Sequence, residues 1–283
     1  EGGSQGLAML RLHLYAEPAA PTLDMGVLAQ YARQTFAGTE VDVRDNLFQR
    51  YLATVPEAER QDAVMRLALT FASAKVRQPL KQTDDFPPLP GEVDYERRRL
   101  SQVGSRSFGL LYDGYKLMRS MWGLVTAAER KLDHVHVVFT NQLVGTWDDA
   151  DRRYHARVSV YGFPALLSTT GLVEAPAKPR EYYLLRQQYA TLGMDDAAEL
   201  ALETELKGRF IGHDDEHLTE VMKGYVAQAL AFQLWGDPFC PDKICRLFNA
   251  HWQKEVIRAQ LHGEPEFCAE HQRRLAELAH LSS

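Results

Sequence analysis

The sequence contains few cysteines, no excess of basic residues and no long apolar segments. Its 283 residues include only three cysteines, too few for the disulfide framework of a secreted protein, so reduced thiols and a cytoplasmic location are expected. The 32 Lys and Arg against 38 Asp and Glu give a formal net charge of −6, which argues against binding to nucleic acid. Apolar runs of about 18 residues do not occur, so a membrane-spanning helix is not expected.

Several motifs of common enzyme classes are also missing. The sequence contains no G-x-x-x-x-G-K-[ST], no G-x-G-x-x-G after a predicted strand and no G-x-S-x-G. The first two motifs bind phosphate groups and the third exposes a nucleophilic serine. Nucleotide binding and serine hydrolysis therefore have no support in the sequence.

The first residues, 1–8, have the composition of an expression-tag remnant, with Met9 as the expected native start. No charged segment followed by an apolar one comes after Met9, so a secretion signal is not predicted. The rest of the chain is divided into an N-terminal α/β part, 9–130, and a second part, 131–283. One continuous domain is the alternative.

Hydrophobic periodicity predicts an early alternation of strands and helices, followed by a run of helices. Strands are predicted at 10–15, 41–43, 134–140, 154–160 and 165–168. Helices are predicted at 21–36, 55–75, 92–129, 179–190, 195–208, 217–235, 246–261 and 266–280, and a proline-rich surface loop at 86–91. This order is typical of an α/β or α+β fold, in which a mixed sheet is flanked by helices.

All three cysteines lie near the C-terminal end, and their spacing is informative. Cys240-Pro-Asp-Lys-Ile-Cys245 places two thiols across a short turn, and Cys268-Ala-Glu-His271 adds a thiol and an imidazole at the start of the last predicted helix. Structural zinc sites combine two such pairs into a tetrahedron of four N or S ligands. The alternative is three buried thiols and an exposed histidine. We predict a closed Cys3His zinc site that holds the C-terminal helices together.

The order of these motifs resembles that of the archaemetzincins, a branch of the metzincin metallopeptidases. The resemblance covers about residues 131–275 and depends on the segments 139–143 and 167–169 together with the two ligand pairs. The segments 171–183 and 245–252 resemble an archaeal and bacterial group of metallopeptidase-like proteins. The resemblance implies a metzincin-like mixed sheet, a helix that carries catalytic metal ligands, and a second, structural zinc.

The same resemblance shows where this chain departs from the family. The family's two helix histidines, its general base and its third histidine would fall on Ala229, Gln233, Leu230 and Phe239. The family's methionine position holds Leu247. These side chains cannot provide the family's ligands or its base, and the helix that carries them is apolar on nearly all sides, as a buried helix is. The scaffold and the structural zinc are therefore expected without the standard catalytic zinc.

A relocated metal site has one candidate at the start of the helix predicted at 217–235. The segment His213-Asp-Asp-Glu216-His217 fits the inverted zincin pattern H-x-x-E-H if it is helical, with Glu216 as the base. The alternative is an N-cap and first turn of the following helix, where acidic residues offset the helix dipole.

A second candidate lies on the predicted strands. His134 and His136 are two residues apart on one strand, so their side chains point to the same face, and His155 is expected to approach from a neighbouring strand. Such a group is suited to a second divalent metal or to acid–base chemistry. The alternative is a set of half-buried histidines whose ring nitrogens are satisfied by hydrogen bonds.

A loop stiffened by two prolines carries the predicted substrate-binding residues Lys178, Arg180 and Tyr182, with Glu174 as a further candidate base. The guanidinium of Arg180 is suited to bidentate binding of a carboxylate, such as a peptide terminus or a small acid. The alternative is a salt-bridged connector that leads into the next helix.

Two functions are consistent with these features. The first is a metal-dependent hydrolase related to the metallopeptidases, with a non-standard active site built from the histidines above. The density of His, Asp, Glu and Arg around the expected cleft favours it. The second is a catalytically inactive binding or structural module that uses only the structural zinc. The expected partner is a peptide or a small acidic molecule.

Overall fold

The computed structural model describes residues 10–82, 86–102, 104–106, 109–194, 201–202 and 204–282. The expected tag remnant at 1–8 lies outside these residues, and so do 195–200 and 203 of the helix predicted at 195–208. Strands and helices alternate early in the described chain and helices predominate towards its end, which confirms the predicted α/β class.

The strands of the described residues form two sheets. In chain order they are β1 (Arg11–Tyr15), β2 (Glu40–Arg44), β3 (Leu111–Asp113), β4 (His134–Thr140), β5 (Leu143–Asp148), β6 (Arg153–Arg157), β7 (Ser159–Val160) and β8 (Ala165–Ser168). The larger sheet has the order β2-β1-β4-β8-β7, in which β7 is antiparallel and lies at an edge. The smaller sheet has the order β3-β5-β6. Because β1 pairs with β4, the larger sheet continues across the predicted division at residue 130.

Helices cover both faces of the larger sheet. In chain order they are α1 (Met25–Thr35), α2 (Leu47–Thr54), α3 (Arg60–Ala74), α4 (Pro90–Ser101), α5 (Gly114–Trp122), α6 (Thr169–Glu174), α7 (Arg180–Thr191), α8 (Leu218–Trp235), α9 (Gln253–Leu261) and α10 (Ala269–Ser282). One core forms with α1 and α8, and the other with α2, α3 and α5. Among the described residues, none of the helices combines the length and apolar character that crossing a membrane requires.

The alternation of side chains along β1 divides them between the two cores. Leu12 and Leu14 are fully buried in the core that contains α1 and α8. Tyr15 belongs to the opposite core, and His13 points to the same face because strand residues two apart share a side. A histidine therefore lies buried on an interior strand of the larger sheet.

The helix predicted over 92–129 is wrong, because this segment is divided into α4, β3 and α5. Gly104 and Gly109 have φ angles of 74° and 70°, a left-handed conformation that interrupts a helix. Asp113 then begins α5, since its carboxylate accepts a hydrogen bond from the backbone N–H of Lys116 at 2.9 Å.

The strand predicted over 154–160 is also wrong as a single element. Its first part, β6, pairs with β5 in the smaller sheet, whereas its last two residues form β7 and pair with β8 in the larger one. Between them, the carbonyl of Val158 accepts a hydrogen bond from the backbone N–H of Ser168 at 2.7 Å. The chain therefore changes sheets here, which makes β7 the edge strand.

The helix predicted over 246–261 begins at Gln253 instead. The preceding segment is held in an irregular path by backbone hydrogen bonds to distant residues. The carbonyl of Leu247 accepts from the N–H of Cys240 at 2.9 Å, and the carbonyl of His251 accepts from the N–H of Ala177 at 2.9 Å. These long-range bonds replace the local bonds of a helix.

Candidate metal centre and cleft

The four predicted zinc ligands lie together between the end of α8 and the start of α10. Sγ of Cys240 lies 3.7 Å from Sγ of Cys268. Nδ1 of His271 lies 3.1 Å from Sγ of Cys268 and 3.8 Å from Sγ of Cys245. All four ligand atoms are within 4.8 Å of one another, and only Cys268 is not fully buried.

These separations fit a tetrahedral zinc ion. Zinc bonds of about 2.3 Å to sulfur and about 2.0 Å to nitrogen give tetrahedral edges of about 3.8 Å between two sulfurs and about 3.5 Å between sulfur and nitrogen. The three cysteines are free thiols, so none is committed to a disulfide. The donor set of three thiols and one imidazole is also one that zinc prefers.

Burial determines the protonation of three of the four candidate ligands when no metal is bound. Burial raises the pKa of Cys240 to about 12 and also raises the pKa of Cys245. Burial lowers the pKa of His271, so its imidazole is neutral at pH 7 and keeps a lone pair for a metal. Thiols that stay protonated in apolar surroundings lose their protons when a metal binds, because the thiolates then gain a positive partner.

The backbone around the cluster is ordered by local hydrogen bonds. Gly236 ends α8 with a φ angle of 76°, a conformation that glycine adopts without strain. The N–H of Cys245 donates to the carbonyl of Asp242 at 3.2 Å, and Nε2 of Gln272 donates to the carbonyl of Phe267 at 2.9 Å. The four ligands thus connect the end of α8, the loop after it and α10.

A cleft of about 380 Å³ lies between the edge strand β7 and α8. Ser159 and Tyr161 line it on the strand side, Gln228 and Phe232 on the helix side, and Phe239 on the loop after α8. The hydroxyl of Tyr161 donates to Oε1 of Gln228. The cleft therefore combines an exposed strand edge with aromatic walls and a few polar groups.

The positions that the archaemetzincin resemblance aligns with catalytic ligands contribute little to this cleft. Ala229 and Leu230 are buried in the core, and Nε2 of Gln233 donates to the carbonyl of Leu132 at 2.6 Å. Phe239 alone lines the cleft, where its ring packs edge-on against Tyr161 with centroids 5.8 Å apart. In the described part of the chain, no group of three potential metal ligands lines the cleft.

Three histidines form a second group on β1 and β4, called here the histidine triad: His13, His134 and His136. Their ligand atoms lie within 4.8 Å of one another, and each residue is at most 6% exposed. His13 stands opposite His136 in the strand register, and its Nε2 lies 2.9 Å from Nδ1 of His134. The sequence predicted two of these residues and missed His13, for which the polar position in the alternation of β1 was the available signal.

Hydrogen bonds limit what the histidine triad can bind. Nε2 of His136 donates to the carbonyl of Glu129 at 3.0 Å, and its Nδ1 accepts from the hydroxyl of Tyr15 at 3.1 Å. The facing nitrogens of His13 and His134 share one proton between them. A metal could replace that proton, but His136 becomes a third ligand only if Tyr15 releases it.

Arg44 sets the charges around the triad. Its guanidinium forms two hydrogen bonds to Glu129, at 2.6 and 2.9 Å, and another to Asp42 at 2.6 Å. These contacts lower the pKa of Glu129 to about 2. Burial, and then the positive charge of Arg44, lower the pKa of His13 to about 4, and burial also lowers the pKa of His136. Both imidazoles are therefore neutral at pH 7.

We expect the stability of the protein to fall as the pH is lowered from 6.5 to 4. In this range the unfolded chain protonates His13 near its ordinary pKa of about 6.5, whereas the folded chain keeps it neutral until about pH 4. The unfolded state thus binds more protons, and the free energy of unfolding is expected to be lower at pH 5 than at pH 7.5 by roughly 1–2 kcal/mol from this residue.

Urea denaturation at several pH values measures this effect. The variant His13→Gln removes the titrating group, so its free energy of unfolding should depend less on pH than that of the wild type, whatever its absolute stability. His217→Gln, which alters an exposed histidine, serves as the control and should keep the wild-type dependence. If the free energy of unfolding depends equally on pH in all three proteins, His13 is not the group that causes this dependence.

His155 does not join the histidine triad. It lies on β6 in the smaller sheet, where its Nε2 is 2.8 Å from the carboxylate of Asp151. Its strand pairs with β5, in a sheet that does not contain β4. The predicted approach to His134 and His136 is therefore absent.

The H-x-x-E-H segment does not form the helical turn that a metal site there requires. His213, Glu216 and His217 precede α8 in a turn, and Asp214 between them has a φ angle of 55°. Asp215 instead accepts hydrogen bonds from the backbone N–H and from Nδ1 of His217, both at 2.8 Å. Asp215 thus bonds to the residue that directly precedes α8, and this residue, His217, makes no capping hydrogen bond with its side chain, so the predicted acidic N-cap is not found either.

The predicted substrate-binding loop has a separate environment. Nζ of Lys178 lies 4.0 Å from the carboxylate of Glu174 and 4.6 Å from the ring centroid of Tyr182. Lys178 is buried, whereas Glu174 is exposed and does not line the cleft. Lys178 and Arg180 line a different pocket of about 470 Å³ at the start of α7.

A known protein family matches most of this chain. Residues 8–278 match a family described as "Probable metallopeptidase family (DUF6775)". The comparison finds no similar protein among those with curated functions and no similar solved structure. The match includes β1, both metal-ligand groups and the cleft, so all of these features lie within the part of the chain that the family shares.

Proposed function

Because the chain belongs to this probable metallopeptidase family, we propose that it is an archaemetzincin-like protein that binds a peptide in the cleft between β7 and α8. One zinc ion at Cys240, Cys245, Cys268 and His271 stabilises the wall of that cleft. Phe239, which lines the cleft, directly precedes the first of these ligands. The metal thus has a structural role next to the binding surface.

The edge strand supports binding of an extended peptide. β7 pairs with β8 on one side only, and an edge strand presents unpaired backbone groups to which a further strand can add. The rings of Phe232 and Phe239 also line the cleft, where both pack against Tyr161 next to β7. Aromatic walls of this kind bind apolar side chains of a peptide, while the strand edge binds its backbone.

Peptide binding without cleavage is the activity that the geometry supports best. The observation that carries it is the composition of α8, which presents Ala229, Leu230 and Gln233 at the positions that the archaemetzincin resemblance aligns with catalytic metal ligands and a base. A closed Cys3His site leaves zinc no open position for water. Neither α8 nor the structural site therefore offers a metal that could activate water in the cleft.

Metal-dependent hydrolysis at the histidine triad is the second candidate. It is favoured by the facing nitrogens of His13 and His134, 2.9 Å apart, since two imidazoles arranged in this way can share a metal ion. Glu174 and Glu216, the predicted bases, and His155, a predicted member of the site, are not part of the triad. A catalytic site there would need both the release of His136 by Tyr15 and a route for substrate to residues that are almost completely buried.

A binding experiment tests the peptide cleft. Immobilised protein is incubated with a mixture of random octapeptides, the retained peptides are identified by mass spectrometry, and their affinities are measured by calorimetry. Phe239→Ala removes an aromatic wall and is expected to weaken binding about tenfold, as truncation of an aromatic contact does. Its zinc content should remain that of the wild type.

Leu80→Ala is the control, since Leu80 is an exposed apolar residue that does not line the cleft. This variant should bind peptides like the wild type. Retention of no peptide, or equal affinity of the Phe239→Ala variant, would overturn the proposal. Cleavage of the retained peptides that stops on chelation and in a His13→Gln variant would establish the second candidate instead.

A further inference from the structure

The pocket at the start of α7 is strongly basic. It is lined by the positively charged residues Lys178, Arg180, Arg209 and Lys254, and by one acidic residue, Glu181. Four positive charges and one negative charge leave a local excess of three positive charges, in a chain whose formal net charge is −6. We refer to this site of about 470 Å³ as the basic pocket.

Lys178 is the most buried of these charges. Its side chain is only 8% exposed, and the nearest carboxylate oxygen, from Glu174, is 4.0 Å from Nζ. The rings of Tyr182 and Phe210 lie 4.6 and 5.7 Å from Nζ, and such contacts offset only part of the cost of burying an ammonium group. An anion in the pocket would supply the hydrogen-bond acceptor that Lys178 lacks among the described residues.

The remaining charges of the pocket are more accessible. Arg180 and Lys254 are exposed, and Lys254 lies over the half-exposed ring of Trp252 at 5.7 Å. Arg209 is 3.2 Å from Glu181, so one cation is paired within the pocket. Arg180, Lys254 and Lys178 are thus available to bind an incoming oxyanion.

The basic pocket adjoins the peptide cleft. A backbone bridge joins Ala177 to Trp252, with hydrogen bonds of 2.9 Å from the N–H of Ala177 to His251 and from the N–H of Gln253 to Ala177. The residues just before this bridge, Pro176 and His251 among them, line the cleft, and those just after it line the basic pocket. The cleft and the basic pocket therefore lie on either side of this bridge and share its two chain segments.

We propose that the basic pocket binds carboxylate groups of the peptide whose backbone lies in the cleft, so that the protein selects acidic peptides. This proposal rests on the proposed peptide binding. Arg180 offers two parallel N–H donors to a carboxylate, and Lys178 and Lys254 add positive charge around it. The pocket accordingly determines which peptides are bound, whereas the cleft provides the backbone contacts.

The test uses pairs of octapeptides that differ only in charge. One half of every peptide is rich in Ala and Val. The other half carries three Glu in one member of a pair and three Gln in the other member. This half is placed at the N-terminal end in some pairs and at the C-terminal end in others. In 50 mM NaCl the wild type should bind the better Glu peptide about tenfold more tightly than its Gln partner, equivalent to one good charge-assisted contact. The preference should shrink in 500 mM NaCl, because salt screens exposed charges.

Two double variants that each remove two positive charges distinguish binding in the basic pocket from attraction by the overall charge of the protein. The double variant Arg180→Gln, Lys254→Gln should lose the preference for Glu and keep its affinity for the Gln peptide. The double variant Arg97→Gln, Arg98→Gln removes two exposed charges from α4, outside the pocket, and should keep the preference.

Equal affinity of the wild type for Glu and Gln peptides would overturn the proposal that the basic pocket binds carboxylates. It would not affect the proposal that the cleft binds peptides. If neither peptide binds, the cleft proposal fails, and calorimetry with citrate and with inorganic phosphate tests the pocket alone. Citrate binding that is lost in the Arg180→Gln, Lys254→Gln variant would uphold a carboxylate site. Binding of phosphate but not citrate, or of neither, would overturn it.

Discussion

The Cys245→Ser variant is expected to be isolated without zinc and to be less stable than the wild type by roughly 4 kcal/mol or more. Loss of a structural metal is one of the few single changes with so large an effect, because the free energy of metal binding contributes directly to folding. Cys245 is fully buried, so no water replaces its contact with the metal. Elemental analysis and guanidinium denaturation measure the two effects.

The Leu247→Ala variant separates loss of metal from loss of packing. Leu247 is also fully buried and lies two residues from Cys245, but it does not belong to the ligand group. Its truncation should cost about 2–5 kcal/mol through the cavity it leaves while one zinc per chain remains. A Cys245→Ser protein that retains a full equivalent of zinc would show that the site is not the one described.

The second large effect is expected at Glu96. Its side chain is fully buried on α4, where it forms ion pairs with Lys75 at 2.9 Å and with Arg99 at 2.7 Å. The hydroxyl of Tyr112 also donates to it at 2.8 Å. Glu96→Ala leaves two nearly buried cations without an ion-pair partner among the described residues, a change that costs about 3–5 kcal/mol.

Denaturation of the Glu96→Ala variant measures this loss, with Asp94→Ala as its control on the same helix. Asp94 pairs with Arg97 and Arg98 at the surface, and such exposed pairs contribute little to stability. The Asp94→Ala variant should therefore unfold almost like the wild type. Similar losses in both variants would mean that burial of Glu96 does not determine its effect.

The Cys3His group could be predicted because its geometry is largely local. Cys240 and Cys245 are separated by one turn, and so are Cys268 and His271, so each pair is held by a short piece of backbone. Three cysteines and a histidine rarely fall at such spacings by chance when a chain has only three cysteines. The spacing therefore indicates a ligand group. The strands β1, β4 and β8 were predictable for a similar reason, since their side-chain pattern is visible within a few residues.

The histidine triad could not be predicted in full, because it depends on which strands pair. His13 and His134 are 121 residues apart, and nothing within either strand indicates that β1 lies beside β4. Likewise, the predicted approach of His155 to His134 and His136 is not found, because the sequence pattern predicts β6 and β7 as a single strand. The change of sheet between them is caused by long-range hydrogen bonds rather than by a local turn motif.

Glu96 illustrates a further limit of the sequence. It lies in a segment rich in Arg and Glu, which is typical of an exposed helix face, yet tertiary contacts with Lys75 and Tyr112 bury it completely. The basic pocket is of the same kind, since Lys254 and Arg209 are brought beside Arg180 only by the fold. In both cases the sequence shows the charges but not their partners.

The pairing of β1 with β4 has a consequence for synthesis of the chain. A ribosome adds about 5–20 residues per second, so the 121 residues between His13 and His134 take roughly 6–24 seconds to follow. During that time β1 and β2 lack the strand that completes their side of the sheet, and the apolar faces of α1 and β1 lack the cover of α8. The nascent chain must therefore be shielded by chaperones or remain incompletely folded until its C-terminal half has emerged.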